Sequence, residues 1–150
     1  MSKTWGTPTW YFFHSFAEHI DENFYKANST LICELFRLIC LNLPCEECTK
    51  HATQYTANTL HGKFIPTKDL LKEYFFRFHN SVNVRTKKDL FTDYDMYKLS
   101  KLGPITSNFI KTYGGSRNPH RGFSDQLNRN IVVNKIIDFM NNNNNYFIWL

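Results

Sequence analysis

A chain of 150 residues with 42% hydrophobic content is the size of one ordinary domain and can bury a single core without staples. Its longest apolar stretches are broken by Arg37, Asn42, Arg77 and His79, short of the roughly 20 residues a membrane span needs. Met1-Ser2-Lys3-Thr4 leads straight into aromatics with no apolar leader, so neither a span nor a secretory signal is expected, and the expected place is the cytoplasm. The net charge of +5 is spread thinly, with only Arg85, Lys87 and Lys88 clustered, which reads as a solvated face and not as a nucleic-acid surface.

The pattern along the chain predicts an all-α protein. Thr7-Pro8 starts a first helix, with a capping hydroxyl and a preset φ, and Trp10, Phe13, His14, Ala17 and Ile20 then recur on one face. Ser29 opens a second helix whose apolar stripe is Ile32, Leu35, Phe36 and Ile39, ending near Asn42. Pro44 begins a third that carries Cys45 and Cys48 in its first turn and runs toward Asn58. After a loop from His61 to Pro66, Thr67 caps a fourth helix with Leu71, Phe75, Phe78 and Val82 in register. A short fifth is predicted from Thr92 to Leu102, stopped by Gly103-Pro104.

Beyond it, Ile105 to Tyr113 has helical character, Ser116 to Asn130 is polar, basic and expected to be mobile, and Ile131 to Met140 can form a last helix. The homopolymer Asn141 to Asn145 reads as a disordered spacer before the apolar tip Tyr146 to Leu150.

The chain has four cysteines. Cys45-Glu46-Glu47-Cys48 at a helix start places two sulfurs where a disulfide can close and where the helix N-terminus favours a thiolate. Such a dithiol can cycle; equally, Cys-x-x-Cys is half of a zinc site. Cys33 and Cys40 lie seven residues apart on one helix, so their Cα atoms are roughly 10 Å apart by helical rise, too far to bridge, and they read first as small buried hydrophobes and second as an intermolecular bridge or shuttle. His51 reads as an exposed helix residue.

Trp5-Gly6 with Trp10 and His14, then Pro44-Cys45-Glu46-Glu47-Cys48, then Phe78-His79-Asn80-Ser81-Val82-Asn83, in that order and spacing, resemble the Erv/ALR sulfhydryl oxidases, over a stretch from Trp5 to Leu102. The compact form is most similar to the versions encoded by large DNA viruses. The resemblance implies a four-helix bundle with a short fifth helix, an FAD-binding sulfhydryl oxidase domain over residues 1–103 and a C-terminal extension over 104–150. It implies FAD in the mouth of the bundle, Cys48 beside the flavin ring and Cys45 exchanging with substrate. Gly6, Trp10, His14, His79, Asn80, Val82 and Asn83 would contact the cofactor, with His79 at the adenine and a basic residue among Arg85, Lys87 and Lys88 near the pyrophosphate. The implied partners are a protein dithiol or a thioredoxin-like carrier, molecular oxygen and a second copy of the chain; neither nucleic acid nor membrane is expected.

The chain departs from the family in three places. Leu43 stands where longer members carry an aromatic residue, no cysteines occupy the positions of their structural disulfide, near Thr59 and Phe76, and no shuttle pair follows Cys48. The rival reading is a non-catalytic zinc module built from Cys45, Cys48, His51 and His61, whose spacing is not a familiar zinc pattern.

Overall fold

The computed structural model describes residues 4–115 and 122–150. Among them the chain is all-helical: α1 (Gly6–His19), α2 (Glu22–Leu41), α3 (Glu46–Thr56), α4 (Lys68–Arg85), α5 (Leu102–Gly115) and α6 (Gly122–Asn142), followed by a 3-10 turn over Asn144–Tyr146. No helix among the described residues is long and apolar enough to cross a membrane.

Local chemistry sets most of the boundaries. The Asp21 carboxylate accepts the Phe24 amide at 2.8 Å and starts α2, and Thr67 does the same for Leu70 at 3.2 Å at the head of α4. α2 bends at Asn28, where φ is −127° and ψ 19° and the side-chain amide donates to Phe24 O at 2.9 Å. Ser29, expected as a helix start, is therefore the first residue after a bend inside a longer helix. At Gly62 the loop before α4 meets α2 so closely that a Cβ would lie 2.5 Å from Thr30 N; only glycine lets two backbones approach this way.

α1 packs against α4 and α5, α2 against α3, α4 and α6, and α5 against α6. The core is aromatic: Phe12, Phe13, Phe16, Phe36, Phe75 and Phe109 are all essentially solvent-free, and Phe12 stacks on Phe109 at 4.5 Å with planes 4° apart. Each such ring removed from water stabilises the fold by roughly 1.5–3 kcal/mol.

Four expectations give way to the structure. The short fifth helix predicted from Thr92 to Leu102 is a run of turns, and α5 begins where that helix was expected to end. Gly103-Pro104 opens a helix instead of closing one, because proline lacks an N–H the first turn does not need and its φ suits that turn. Of the segment Ser116 to Asn130, residues 116–121 lie outside the described residues, while Ser124 to Asn130 belong to α6, where Asp125 and Arg129 form a buried ion pair one turn apart. The asparagine run is also ordered: Asn141 and Asn142 end α6, and the Asn143 amide donates to Phe139 O at 2.8 Å, satisfying a helix-end carbonyl.

The apolar tip then returns to the end of α1. Ile20 and Phe147 form an antiparallel bridge, Asp21 N donates to Tyr146 O at 2.7 Å and Ile148 N to His19 O at 2.9 Å. Phe147 packs on Phe16 with ring centres 5.0 Å apart. Phe109, Tyr113, Ile136 and Phe147, all from residues 104–150, share one buried cluster with Phe12 and Phe36.

Candidate functional site: a dithiol at an aromatic cavity

The site begins at the head of α3. Cys45 is the N-cap residue with an extended backbone, and its sulfur accepts the Cys48 amide at 3.3 Å. The two cysteines are joined as a disulfide with Cα atoms 5.2 Å apart, inside the usual range of about 4.4–6.8 Å. Their surroundings differ. Cys48 is 6% exposed and forms part of a cavity wall, whereas Cys45 is half-buried and does not line that cavity.

The cavity has a volume of about 550 Å³ and lies among α1, the end of α2, α3 and α4, within the range of roughly 300–1,000 Å³ typical of small-molecule sites. Gly6 and Trp10 come from α1, Cys48 and Ala52 from α3, and Phe78, His79, Val82 and Asn83 from α4. Arg85 and Lys88, both exposed, add positive charge to its lining. A slightly larger groove of about 610 Å³ runs along α3 and α4 past Tyr55 and Tyr74, but neither Cys45 nor Cys48 reaches it.

Ring packing fixes the wall between α1 and α4. Trp10 stacks on His79 at 4.3 Å with planes 8° apart and meets Phe78 edge-on at 5.1 Å. His79 Nδ1 lies 2.9 Å from His14 Nε2, and the His14 ring in turn stacks on Tyr97 at 4.7 Å. Burial, with His79 beside it, lowers the His14 pKa to about 3. Burial and then the Lys88 charge lower that of His79 to about 4. Both rings are neutral at neutral pH, so one bridging proton joins them.

Of the residues expected at a cofactor, Gly6, Trp10, His79, Val82, Asn83 and Lys88 line the cavity together with Cys48. His14 stands behind His79 and does not line it. Asn80 turns away: its amide donates to Phe91 O at 2.9 Å and its carbonyl accepts Phe91 N at 2.7 Å. Lys87, with φ at 59°, ends the helix in the left-handed region and is also outside the lining. Trp5, Phe13, Cys40, Ala52, Phe78 and Thr86 line the cavity without having been singled out as contacts. Trp5 and Phe78 stood within the quoted motifs; the others carry no chemical signature and are found only from the packing.

Cys33 and Cys40 are free and buried, as their helical spacing predicted. Burial pushes the Cys40 thiol up to about 12, which keeps it protonated. His51, expected to be exposed, is half-buried, and its Nδ1 is inaccessible and unpaired. Among the described residues no three His, Cys, Asp or Glu side chains are gathered to hold a metal ion, so Cys45, Cys48, His51 and His61 do not converge on one.

The chain is thus a helical domain in which one sulfur of a Cys-x-x-Cys pair faces an aromatic, basic-lined cavity. The family model described as Erv1 / Alr family matches residues 7–101, and the chain belongs to that family. It is similar to "Putative FAD-linked sulfhydryl oxidase 096R" of Invertebrate iridescent virus 3, with 29% identity over 86 residues that cover 57% of this chain and 58% of that protein. It is also similar to "Putative FAD-linked sulfhydryl oxidase 347L" of Invertebrate iridescent virus 6, with 31% identity over 96 residues that cover 57% of this chain and 82% of that protein. The match thus spans little more than half the length of the first of these relatives. No solved structure matches the chain significantly.

Proposed function

We propose that the chain is an FAD-dependent sulfhydryl oxidase that makes disulfides in substrate dithiols. The observation that carries this reading is the division of labour within the pair: Cys48 is set in the cavity wall and Cys45 lies outside it. The cavity residues fit the cofactor. Trp10 and His79 offer flat faces or edges to a fused ring system, Asn83 offers an amide, and Arg85 and Lys88 supply charge suited to a diphosphate.

In the proposed cycle a substrate thiolate attacks Cys45 Sγ, the Cys45–Cys48 bond breaks, and the electron pair leaves on Cys48. A second substrate thiolate then attacks the substrate sulfur of the mixed disulfide and releases Cys45 as a thiolate, leaving the substrate oxidised and the pair reduced. The helix N-terminus that Cys45 caps favours negative sulfur at this stage. Bound FAD would supply the electron chemistry, taking two electrons from the dithiol so that its disulfide reforms and passing them to O2 as H2O2. The chain's own part is to hold Cys48 in the cavity wall, to keep water from that wall with Phe13, Phe78 and Val82, and to leave Cys45 for exchange.

The substrate class proposed is a protein dithiol or a thioredoxin-like carrier, and the assembly proposed is a homodimer. Two measurements test the function. The purified protein should be yellow with a flavin absorption spectrum, and it should consume O2 and form H2O2 when given a small dithiol. A folded protein that neither retains nor takes up FAD would overturn the reading.

A further inference from the structure

The groove along α3 and α4 and the cavity that Cys48 lines stand back to back. Tyr55 lines the groove, Phe78 lines the cavity, and the two rings stack at 4.8 Å with planes 11° apart. At this point one pair of rings separates the two hollows.

The hollows differ in what they can admit. The cavity is the place proposed for FAD, which would fill it, and Arg85 and Lys88 charge its lining. The groove stays open, and Tyr55, Phe64, Ile65, Leu70 and Tyr74 give it an apolar surface, with Phe64 61% and Leu70 42% exposed. Small apolar solutes leave water for such surface. The reaction proposed above consumes one, O2.

The rings at this wall are not equally held. Phe78 is buried, and Trp10 meets it edge-on at 5.1 Å. Tyr74, which flanks Tyr55 edge-on at 5.8 Å, is fixed by the hydrogen bond between its hydroxyl and Thr59 Oγ1 at 2.7 Å. The Tyr55 hydroxyl makes no hydrogen bond among the described residues, and its ring is half-buried with the groove beside it. Tyr55 is therefore the ring with room to swing, on the fast timescale of partly exposed side chains.

We propose that O2 reaches the cofactor from this groove, through the Tyr55–Phe78 wall, and that Tyr55 is the residue that gates it. On arrival O2 takes two electrons and two protons from FADH2, giving FAD and H2O2. The inference rests on the FAD reading of the cavity and adds to it the path of the oxidant. Neither Cys45 nor Cys48 reaches the groove, so dithiol and oxygen approach the cofactor from different sides.

Stopped-flow absorbance of the FAD-loaded protein separates the two approaches. Tyr55→Trp, with a bulkier ring in the gate, should lower the second-order rate constant for reoxidation of the reduced protein by O2 about fivefold, and Tyr55→Ala should raise it by a similar factor. Tyr55→Phe, which keeps the ring, should react with O2 as the unsubstituted protein does. Anaerobic reduction by a small dithiol should keep its rate in all three. A second readout needs no turnover: O2 quenches the light-excited triplet of FAD bound to the oxidised protein, and the quenching constant should be largest for Tyr55→Ala and smallest for Tyr55→Trp. If Tyr55→Trp and Tyr55→Ala match the unsubstituted protein in both O2 measurements, O2 enters elsewhere and the proposal is overturned. If Tyr55→Trp slows dithiol reduction and reoxidation together and leaves the quenching constant unchanged, Tyr55 is a structural residue and the gate is wrong. A folded protein that takes up no FAD sinks the cofactor reading and this path with it, whereas bound FAD with indifferent Tyr55 variants sinks the path alone.

Discussion

The sulfur of Cys45 accepts the backbone N–H of Cys48 at 3.3 Å, so one atom serves both as helix cap and as half of the disulfide. The two duties separate under substitution. Cys45→Ser loses the disulfide but keeps an oxygen where the cap needs one, and should lose dithiol-dependent O2 consumption. Cys45→Ala loses the disulfide and the cap together, and should be about 0.5–2 kcal/mol less stable than Cys45→Ser. Cys48→Ser should abolish turnover too and, being in the cavity wall, alter the flavin spectrum more than Cys45→Ser does. Substantial turnover by any of these variants would remove the assigned redox pair.

The pH dependence of stability follows from the histidine pair. A histidine whose folded pKa lies below its ordinary value of 6.5 binds its proton more readily when unfolded, so stability is full above 6.5 and is lost as pH falls toward about 4 for His79 and about 3 for His14. The melting temperature should already decline between pH 6.5 and 5, above the range where most carboxylates titrate. His14→Phe should flatten that decline, since one of the two rings is then gone. An equally steep decline in the variant would show that other groups set the slope.

Gly62→Ala tests the tight approach of the loop before α4 to α2. The added Cβ would meet Thr30 N, Thr30 Cα and Ser29 C at 2.5 to 2.8 Å, all main-chain atoms that cannot swing aside. A loss of roughly 1–3 kcal/mol, the usual cost of overpacking, is expected from chemical denaturation. A neutral result would mean that the loop and α2 separate easily.

Phe147 reports on the returning tail. It is 7% exposed and packs on Phe16 while its backbone pairs with Ile20. Phe147→Ala should cost about 3–5 kcal/mol if the tail is part of the cooperative core. A proteolytic cut near Asn143 that left the melting curve unchanged would detach the tail from that core.

The sequence made legible whatever is decided within a few residues or within a motif. Thr67 caps α4 because a hydroxyl satisfies an N–H three residues on, and that pattern is readable without a fold. The apolar stripes of α2 and α4 likewise predicted the buried Phe36 and Phe75. Gly103-Pro104 was ambiguous because the pair suits either end of a helix, and the choice is made by the packing of α5 on α1. The asparagine run offered no apolar atoms, so its order could not be seen; it comes from side-chain amides at a helix end and from Tyr146 stacking on Phe24 at 4.2 Å. At the site, the motif spacing located Trp10, His79 and Asn83 in the cavity wall, but side-chain direction sent His14 behind His79 and Asn80 toward Phe91.

That turn of Asn80 has a consequence for affinity. By bonding both the N–H and the C=O of Phe91, one side chain stands in for a neighbouring strand and fastens the loop that runs from Arg85 through Lys88. Asn83 joins the same clamp, donating to Asn80 Oδ1 at 3.2 Å. The loop carrying Lys88 is thus ordered when the chain folds, and the entropy of ordering it is charged to folding and not to ligand association. A side chain outside the cavity lining can in this way pre-organise the backbone that carries the charge.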